Sequence, residues 1–303
     1  DTLTANGVDM SATAVHPALP TGTTFIHEVP SGERDGITYF PNANNDFDFE
    51  TFKPHVSRFA PSVMYYMYSG LSDRGDANGG RDLAGFVAWC RAQGCVTIAD
   101  SHTLTGNPQE LIAAGAPVPA YCLLEPLLGE LDIFFTSADE ARMIRNTLEP
   151  DNAAKRLDTP STIKAFLDFV TARFARQGGR ARLFGVTVKN GAYIRYVKPD
   201  GDAGQTVFCA SRFMVGDVVD LVGAGDSFRA GLTAYVARHR AEFLDGTLDA
   251  AAAVQTGNLM ATLYVTSPLH DRYSLIPPFE RMLAVVKGGR QFQTFAELTG
   301  ALA

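Results

Sequence analysis

A chain of 303 residues, 46% hydrophobic and 19% charged, can bury a large core, which excludes a disordered or fibrous protein. Its 26 Lys and Arg stand against 33 Asp and Glu, a formal net charge of −7, and no basic run offers a footprint for nucleic acid. Four cysteines (Cys90, Cys95, Cys122, Cys209) and six scattered histidines lack metal-ligand spacing, and no apolar run reaches the ~20 residues that span a bilayer. The expectation is a soluble, cytoplasmic protein with no nucleic-acid or membrane partner.

"TGTTFIHEV" and "RDGITYFPNAN" flank the turn "PSGE" and read as a hairpin over about residues 21–45. From Ser62, "SVMYYMYSG" is an apolar run ending in Ser-Gly; a Gly-rich stretch and the helical pattern "RDLAGFVAWCRAQG" follow, closed by glycine. "CVTIAD" reads as a short buried strand and "DIFFTS" as another. "ADEARMIRNTL" opens with acids, as the helix dipole favours. Past the polar insert "EPDNAAKRLDTPS", the amphipathic helix "TIKAFLDFVTARFARQGG" leads to the strand "ARLFGVTV" and to hairpin strands around "PDGDAG". The β-branched run "MVGDVVDLV" predicts a strand entering "GAGD", from which a helix runs to about Arg240, and "LDAAAAVQTGNLMATLYVT" predicts one more. Alternating strands and helices imply a mainly parallel sheet covered on both faces.

The stretch "DLVGAGDSFRAGL", Asp220 to Leu232, carries the chemistry. A turn into a helix gathers amides that lack intrahelical partners. Gly223, Ala224 and Gly225 let an anionic oxygen approach them, and the helix N-terminus favours its charge. Asp226 then reads in two ways: as a helix cap worth ~1 kcal/mol, or as a general base beside a phosphate under attack. Spacing alone leaves both open.

This stretch closely resembles the C-terminal signature of the ribokinase-like sugar kinases, the phosphofructokinase B family, whose usual form is D-T-x-G-A-G-D-x-F. Weaker matches follow in the right order: the "PTGTTFIHEVPSGERDGITYFPNAN" lid segment, "YSG", "TIAD", "DIFFTSADEA", "GVTVKNGAYI" and "NLMATLYVT". The resemblance implies a three-layer α/β ribokinase-like fold with a mainly parallel central sheet and a small β lid, forming one kinase domain over residues 1–303. It implies ATP and Mg²⁺ as cofactors, a small-molecule sugar substrate, and a route to a homodimer through the lid.

Carried over by position, the resemblance makes Asp226 the base and Gly223, Ala224 and Gly225 the anion hole. Asp220 falls where family members often bind a monovalent cation such as K⁺. Glu140 matches the end of an Asn-x-x-Glu motif that organises Mg²⁺ and phosphate, or is a first-turn acid of its helix. Thr187, Lys189 and Gly191 lie in the segment that resembles a nucleotide-side turn, or shape a hairpin. Asn258 falls near the adenine or ribose, or is a polar residue on an Ala-rich face. Asn44 and Ser69 are sugar-side candidates that also read as turn residues.

The chain departs from the family pattern in four places. The family's first strand, its substrate-binding aspartate and its Gly-Gly turn have no counterpart, so the expectation is either a sequence incomplete at its start or a natural truncation, lacking that strand and part of the lid; the exposed apolar neighbours and unpaired backbone that a lost inner strand would leave favour the first. Leu221 replaces the signature Thr. Ser137 stands for Asn, and Lys189 for a turn Gly. "DSHTLTG", after Asp100, lacks the Arg of D-x-N-x-R. These departures keep a ligand-sensing or scaffold protein open as an alternative, and Phe25, Tyr39 and Phe40 keep a nucleoside acceptor open. Asp100, Ser101 and His102 do not read as a hydrolase triad, because adjacent residues rarely converge and no Gly-x-Ser-x-Gly elbow exists.

Overall fold

The computed structural model describes residues 2–28, 34–67, 69–150, 159–175 and 179–303. After a short helix α1 (Thr2–Ala5), the strands β1 (Thr23–Glu28) and β2 (Arg34–Phe40) pair antiparallel, with Thr24 opposite Tyr39. This is the predicted hairpin; its "PSGE" turn lies outside the described residues. Helix α2 (Phe49–Phe59) leads away from it and is capped by Asp48, whose carboxylate accepts the Glu50 amide.

The main body alternates as the sequence predicts: β3 (Val63–Tyr66), α3 (Arg81–Ala92), β4 (Val96–Asp100), α4 (Pro108–Ala114), α5 (Leu124–Leu128), β5 (Ile133–Ser137), α6 (Ala138–Leu148), α7 (Pro160–Phe174) and β6 (Arg182–Val188). Two further strands, β7 (Gly191–Val197) and β8 (Val207–Ala210), then complete the sheet. The remaining helices are α8 (Ala224–Arg238), α9 (Arg240–Asp245), α10 (Ala250–Thr266), α11 (Phe279–Lys287) and α12 (Phe295–Leu302). The six strands lie in the order β3-β4-β5-β6-β7-β8, parallel from β3 to β6 and antiparallel from there to β8.

Side-chain alternation explains the layers. Ile98 of β4, Ile133 and Phe135 of β5 and Leu183 of β6 join Phe228, Leu232 and Val254 of α8 and α10 in one buried cluster. Their neighbours Ala99, Phe134 and Phe184 face the other way, onto Val87 of α3, Ile144 of α6 and Phe166 of α7. The result is a three-layer α/β arrangement with a separate two-stranded lid. Helices α8 and α10 pack almost backbone to backbone, since a Cβ on Gly231 would stand 2.7 Å from the Thr256 carbonyl.

One predicted strand is absent. Residues 211–223, the "MVGDVVDLV" run included, form no strand. The left-handed backbone of Gly216 (φ +93) interrupts the run, and the Val219 and Asp220 amides donate to the Val265 carbonyl at the end of α10 instead of to a neighbouring strand. Val218, Val219 and Leu221 are exposed. Among the described residues, no single helix is long and apolar enough to cross a membrane.

Candidate active site

The parallel strands end together at Tyr66, Asp100, Ser137 and Val188, and open α/β sheets bind ligands at that edge. The first turn of α8 is anchored there. Arg229, on α8, donates through Nη2 to Asp100 Oδ1 at 2.7 Å and turns Nε towards Oδ2, and both side chains are buried. Burial pushes the Asp100 carboxyl above its usual range while Arg229 opposes that shift. A guanidinium facing a carboxylate through two nitrogens is a strong, directional pairing.

A hydroxyl network extends from this pair. The Ser101 amide donates to Asp100 Oδ1 at 2.8 Å, and Ser101 Oγ lies 2.6 Å from Thr136 Oγ1 and 3.0 Å from Glu140 Oε2. Thr187 Oγ1 donates to the Thr136 carbonyl at 3.3 Å, so β4, β5 and β6 are tied together at the same edge. Tyr65 Oη is buried nearby with no hydrogen-bond partner among the described residues. Burial, and then the Asp100 charge, push this phenol up; Arg229 opposes and Asp226 adds to the shift.

The GAGD turn sits above this network. Gly223 is the N-cap of α8 in a left-handed conformation, φ +87, and its Cα faces Tyr264: an added Cβ would stand 2.9 Å from that ring. The Ala224 amide donates back to the Leu221 carbonyl at 3.1 Å. Of the predicted anion hole, the Ala224 amide is thus taken up by the turn itself, while Gly225 is second in the helix, where a main-chain amide has no preceding helical carbonyl. Asp226, third in the helix, is exposed.

The other predicted residues take distinct places. Glu140 is buried and forms a reciprocal capping box with Ser137: the Ser137 amide donates to Glu140 Oε2 at 3.0 Å, and the Glu140 amide donates to Ser137 Oγ at 3.2 Å. The hydroxyls of Ser101, Thr136 and Thr103 also surround its carboxylate. Among the described residues, no three His, Cys, Asp or Glu side chains cluster to hold a metal. Asp220 is engaged from two sides. Its Oδ1 accepts the Val222 amide at 2.8 Å and its Oδ2 meets the Arg272 guanidinium.

Lys189 is exposed in the two-residue turn between Val188 and Gly191, the hairpin reading of that segment. Asn258, on α10, is buried with Nδ2 unpartnered among the described residues. Asn44 donates to Tyr39 Oη at 3.0 Å and accepts Ser72 Oγ at its carbonyl, fastening the lid to the loop after β3 in which Ser69 is buried.

Sequence reading missed Arg229, Tyr65 and Arg272. For Arg229 a signal was present: one charge, three residues after Asp226, in a stretch where Phe228 and Leu232 mark the buried face. Arg272 carries no local signal, because its partner is 52 residues away.

Residues 175–272, which hold the GAGD turn and Asn258, match the model described as pfkB family carbohydrate kinase. Solved structures share the fold over most of the chain. A Burkholderia thailandensis nucleoside kinase in complex with inosine superposes with a TM-score of 0.60 at 16% identity, over 96% of this chain and 78% of that one. The fold is ribokinase-like. A ribokinase from Giardia lamblia matches at TM-score 0.58 and 17% identity, over 83% and 68% of the two chains. A Vibrio cholerae O395 fructokinase double mutant, bound to fructose, ADP and potassium ion, matches at 0.58 and 17%, over 88% and 73%. No curated protein matches the sequence. The ribokinase-like resemblance read from "GAGD" thus holds for the fold, and for the family pattern over residues 175–272.

Proposed function

We propose that this chain is a kinase domain that transfers the γ-phosphoryl group of ATP to a hydroxyl of a sugar or sugar acid. The observation that carries this reading is the placing of Asp226: an exposed carboxylate in the first turn of α8, beside the Gly223 to Gly225 turn, at the edge where the parallel strands end. The acceptor oxygen forms a bond to the γ-phosphorus as the bond to the bridging oxygen of ADP breaks, and the hydroxyl proton passes to Asp226. Negative charge gathering on the transferred group meets the Gly225 amide and the positive end of α8.

Mg²⁺ would travel with the nucleotide phosphates and neutralise their charge; Glu140, filled by its cap and three hydroxyls, orders the edge beneath. The buried, unpartnered Nδ2 of Asn258 supplies a donor for the nucleotide, with Thr187, Lys189 and Gly191 along the β6–β7 turn. The lid closes over the acceptor and excludes water, limiting ATP hydrolysis.

A nucleoside acceptor is the second reading. Phe25 and Phe40 form an edge-to-face pair on the lid, ring centroids 6.2 Å apart, with 54% and 50% of their surfaces exposed, an apolar platform suited to a base. The test is phosphoryl transfer from labelled ATP across a panel of sugars, sugar acids and nucleosides, with Asp226→Asn as control. That variant is expected to lose on the order of 10²-fold in kcat with nucleotide affinity nearly unchanged. Near-normal turnover removes Asp226 as base; binding without transfer to any acceptor favours a sensor.

A further inference from the structure

Arg229 has one nitrogen that does not face Asp100. Its side chain is only 6% exposed, and Nε and Nη2 are committed to Asp100. Nη1 takes no part in that pairing and lies against the GAGD turn: a Cβ added to Gly225 would stand 2.7 Å from it. The glycine thus opens the space between the guanidinium and the first turn of α8. A charged donor thereby lies against the same first turn that carries the Gly225 amide.

The charge balance makes this nitrogen consequential. Asp226 lies on the turn, and Glu140 acts on both Asp100 and Arg229. An anion entering here meets carboxylates from α8 and α6, and Asp100 already takes up two nitrogens of the guanidinium. Burial disfavours charge on Arg229, but Asp100 and Glu140 outweigh it and hold the guanidinium protonated. The sequence has no arginine in "DSHTLTG" after β4; the structure delivers one to Asp100 from α8.

We propose that Arg229 is a second anion-contacting residue of the catalytic turn, its Nη1 binding the phosphoryl oxygen that the Gly225 amide also holds. The assignment to the transferred phosphoryl group rests on the kinase reading above; the anion site itself does not. Nη2 and Nε would hold the guanidinium to β4 while Nη1 meets the ligand, so that one side chain both fixes α8 and contacts the reacting group.

The probe is inorganic phosphate, titrated into the full chain by calorimetry and by thermal shift against chloride of equal ionic strength. Wild type is expected to bind phosphate and to be stabilised by it. Arg229→Lys retains one charged contact to Asp100 but has no second nitrogen for the turn. It is expected to unfold cooperatively, to bind phosphate at least about tenfold more weakly, and to lose at least about tenfold in kcat. Should that variant not fold, Gly225→Ala decides, because its methyl group displaces Nη1 without touching Asp100; the same loss of phosphate affinity is expected. Equal phosphate binding by wild type and a folded variant overturns the proposal, as does a wild type that binds no phosphate. Arg229-dependent binding in a protein that phosphorylates no acceptor would leave the anion site standing and the kinase reading fallen. Turnover and phosphate affinity unchanged in Arg229→Lys would do the reverse.

Discussion

The central sheet carries a buried carboxylate–guanidinium cluster at each end, and the two are built differently. At the N-terminal end, Asp132 precedes β5 and accepts Arg91 Nε at 2.9 Å, Arg180 Nη2 at 3.2 Å and the Thr97 amide at 3.1 Å. Arg180 spends its other contacts on main-chain carbonyls, Nη1 on Arg91 and Nη2 on Cys95. At the C-terminal end, Asp100 holds Arg229, which keeps Nη1 facing the α8 turn. Both clusters leave a guanidinium nitrogen without a hydrogen bond among the described residues; what differs is that only the Arg229 cluster lies beside the first turn of α8.

The widest separation between the two ends is expected from Asp132→Ala. Removing the carboxylate strands two guanidinium groups in the interior, and breaking a buried pair this way costs about 3–5 kcal/mol. Urea denaturation should show that loss in the midpoint at an unchanged slope, while kcat per folded molecule stays at the wild-type value. A fall in kcat of the folded fraction would mean that the two ends are coupled, and the contrast between them would fail.

How much of this was visible in the sequence depends on how local each feature is. The strands of the main sheet and the helix after "GAGD" follow from apolar runs and glycine punctuation a few residues apart. Ser137 and Glu140 also have the local Ser-x-x-Glu spacing of a capping box, so the bland reading of Glu140 was legible, and the structure shows the cap. The strand expected over "MVGDVVDLV" failed because β-branched composition expresses a preference for a half-buried pleated surface, and no neighbouring strand is there to provide one. Arg229 and Arg272 were out of reach for the opposite reason: their partners, Asp100 and Asp220, lie 129 and 52 residues away and are found only by folding.

A smaller effect, confined to the catalytic end, is expected from Gly223→Ala. The backbone at φ +87 is strained for any residue with a Cβ, and that Cβ also meets the Tyr264 ring. Relaxing the turn towards negative φ would swing the Gly225 amide away from Arg229 Nη1. The variant should lose about 1–3 kcal/mol in denaturation experiments, and turnover should fall with it. Loss of stability with full turnover would show that the turn shapes the fold without placing the amides.

The smallest effect separates the buried pair from a second pair beside the same turn. Asp220 and Arg272 are 25% and 14% exposed, and Arg272 also stacks on Tyr264 with its Cζ 5.3 Å from the ring centroid. Because this pair reaches solvent, Arg272→Gln should lower stability by only about 1 kcal/mol. Its more telling result concerns the cation. With the guanidinium in place, Asp220 already has a counter-ion, so the wild-type melting midpoint is expected to be the same in KCl and NaCl at equal ionic strength. With Gln at position 272 the carboxylate is released, and a K⁺-specific rise in midpoint should appear only in the variant. A saturable K⁺ effect on wild type would show that Arg272 leaves room for a cation, and the two pairs flanking the turn would then differ less than their geometry indicates.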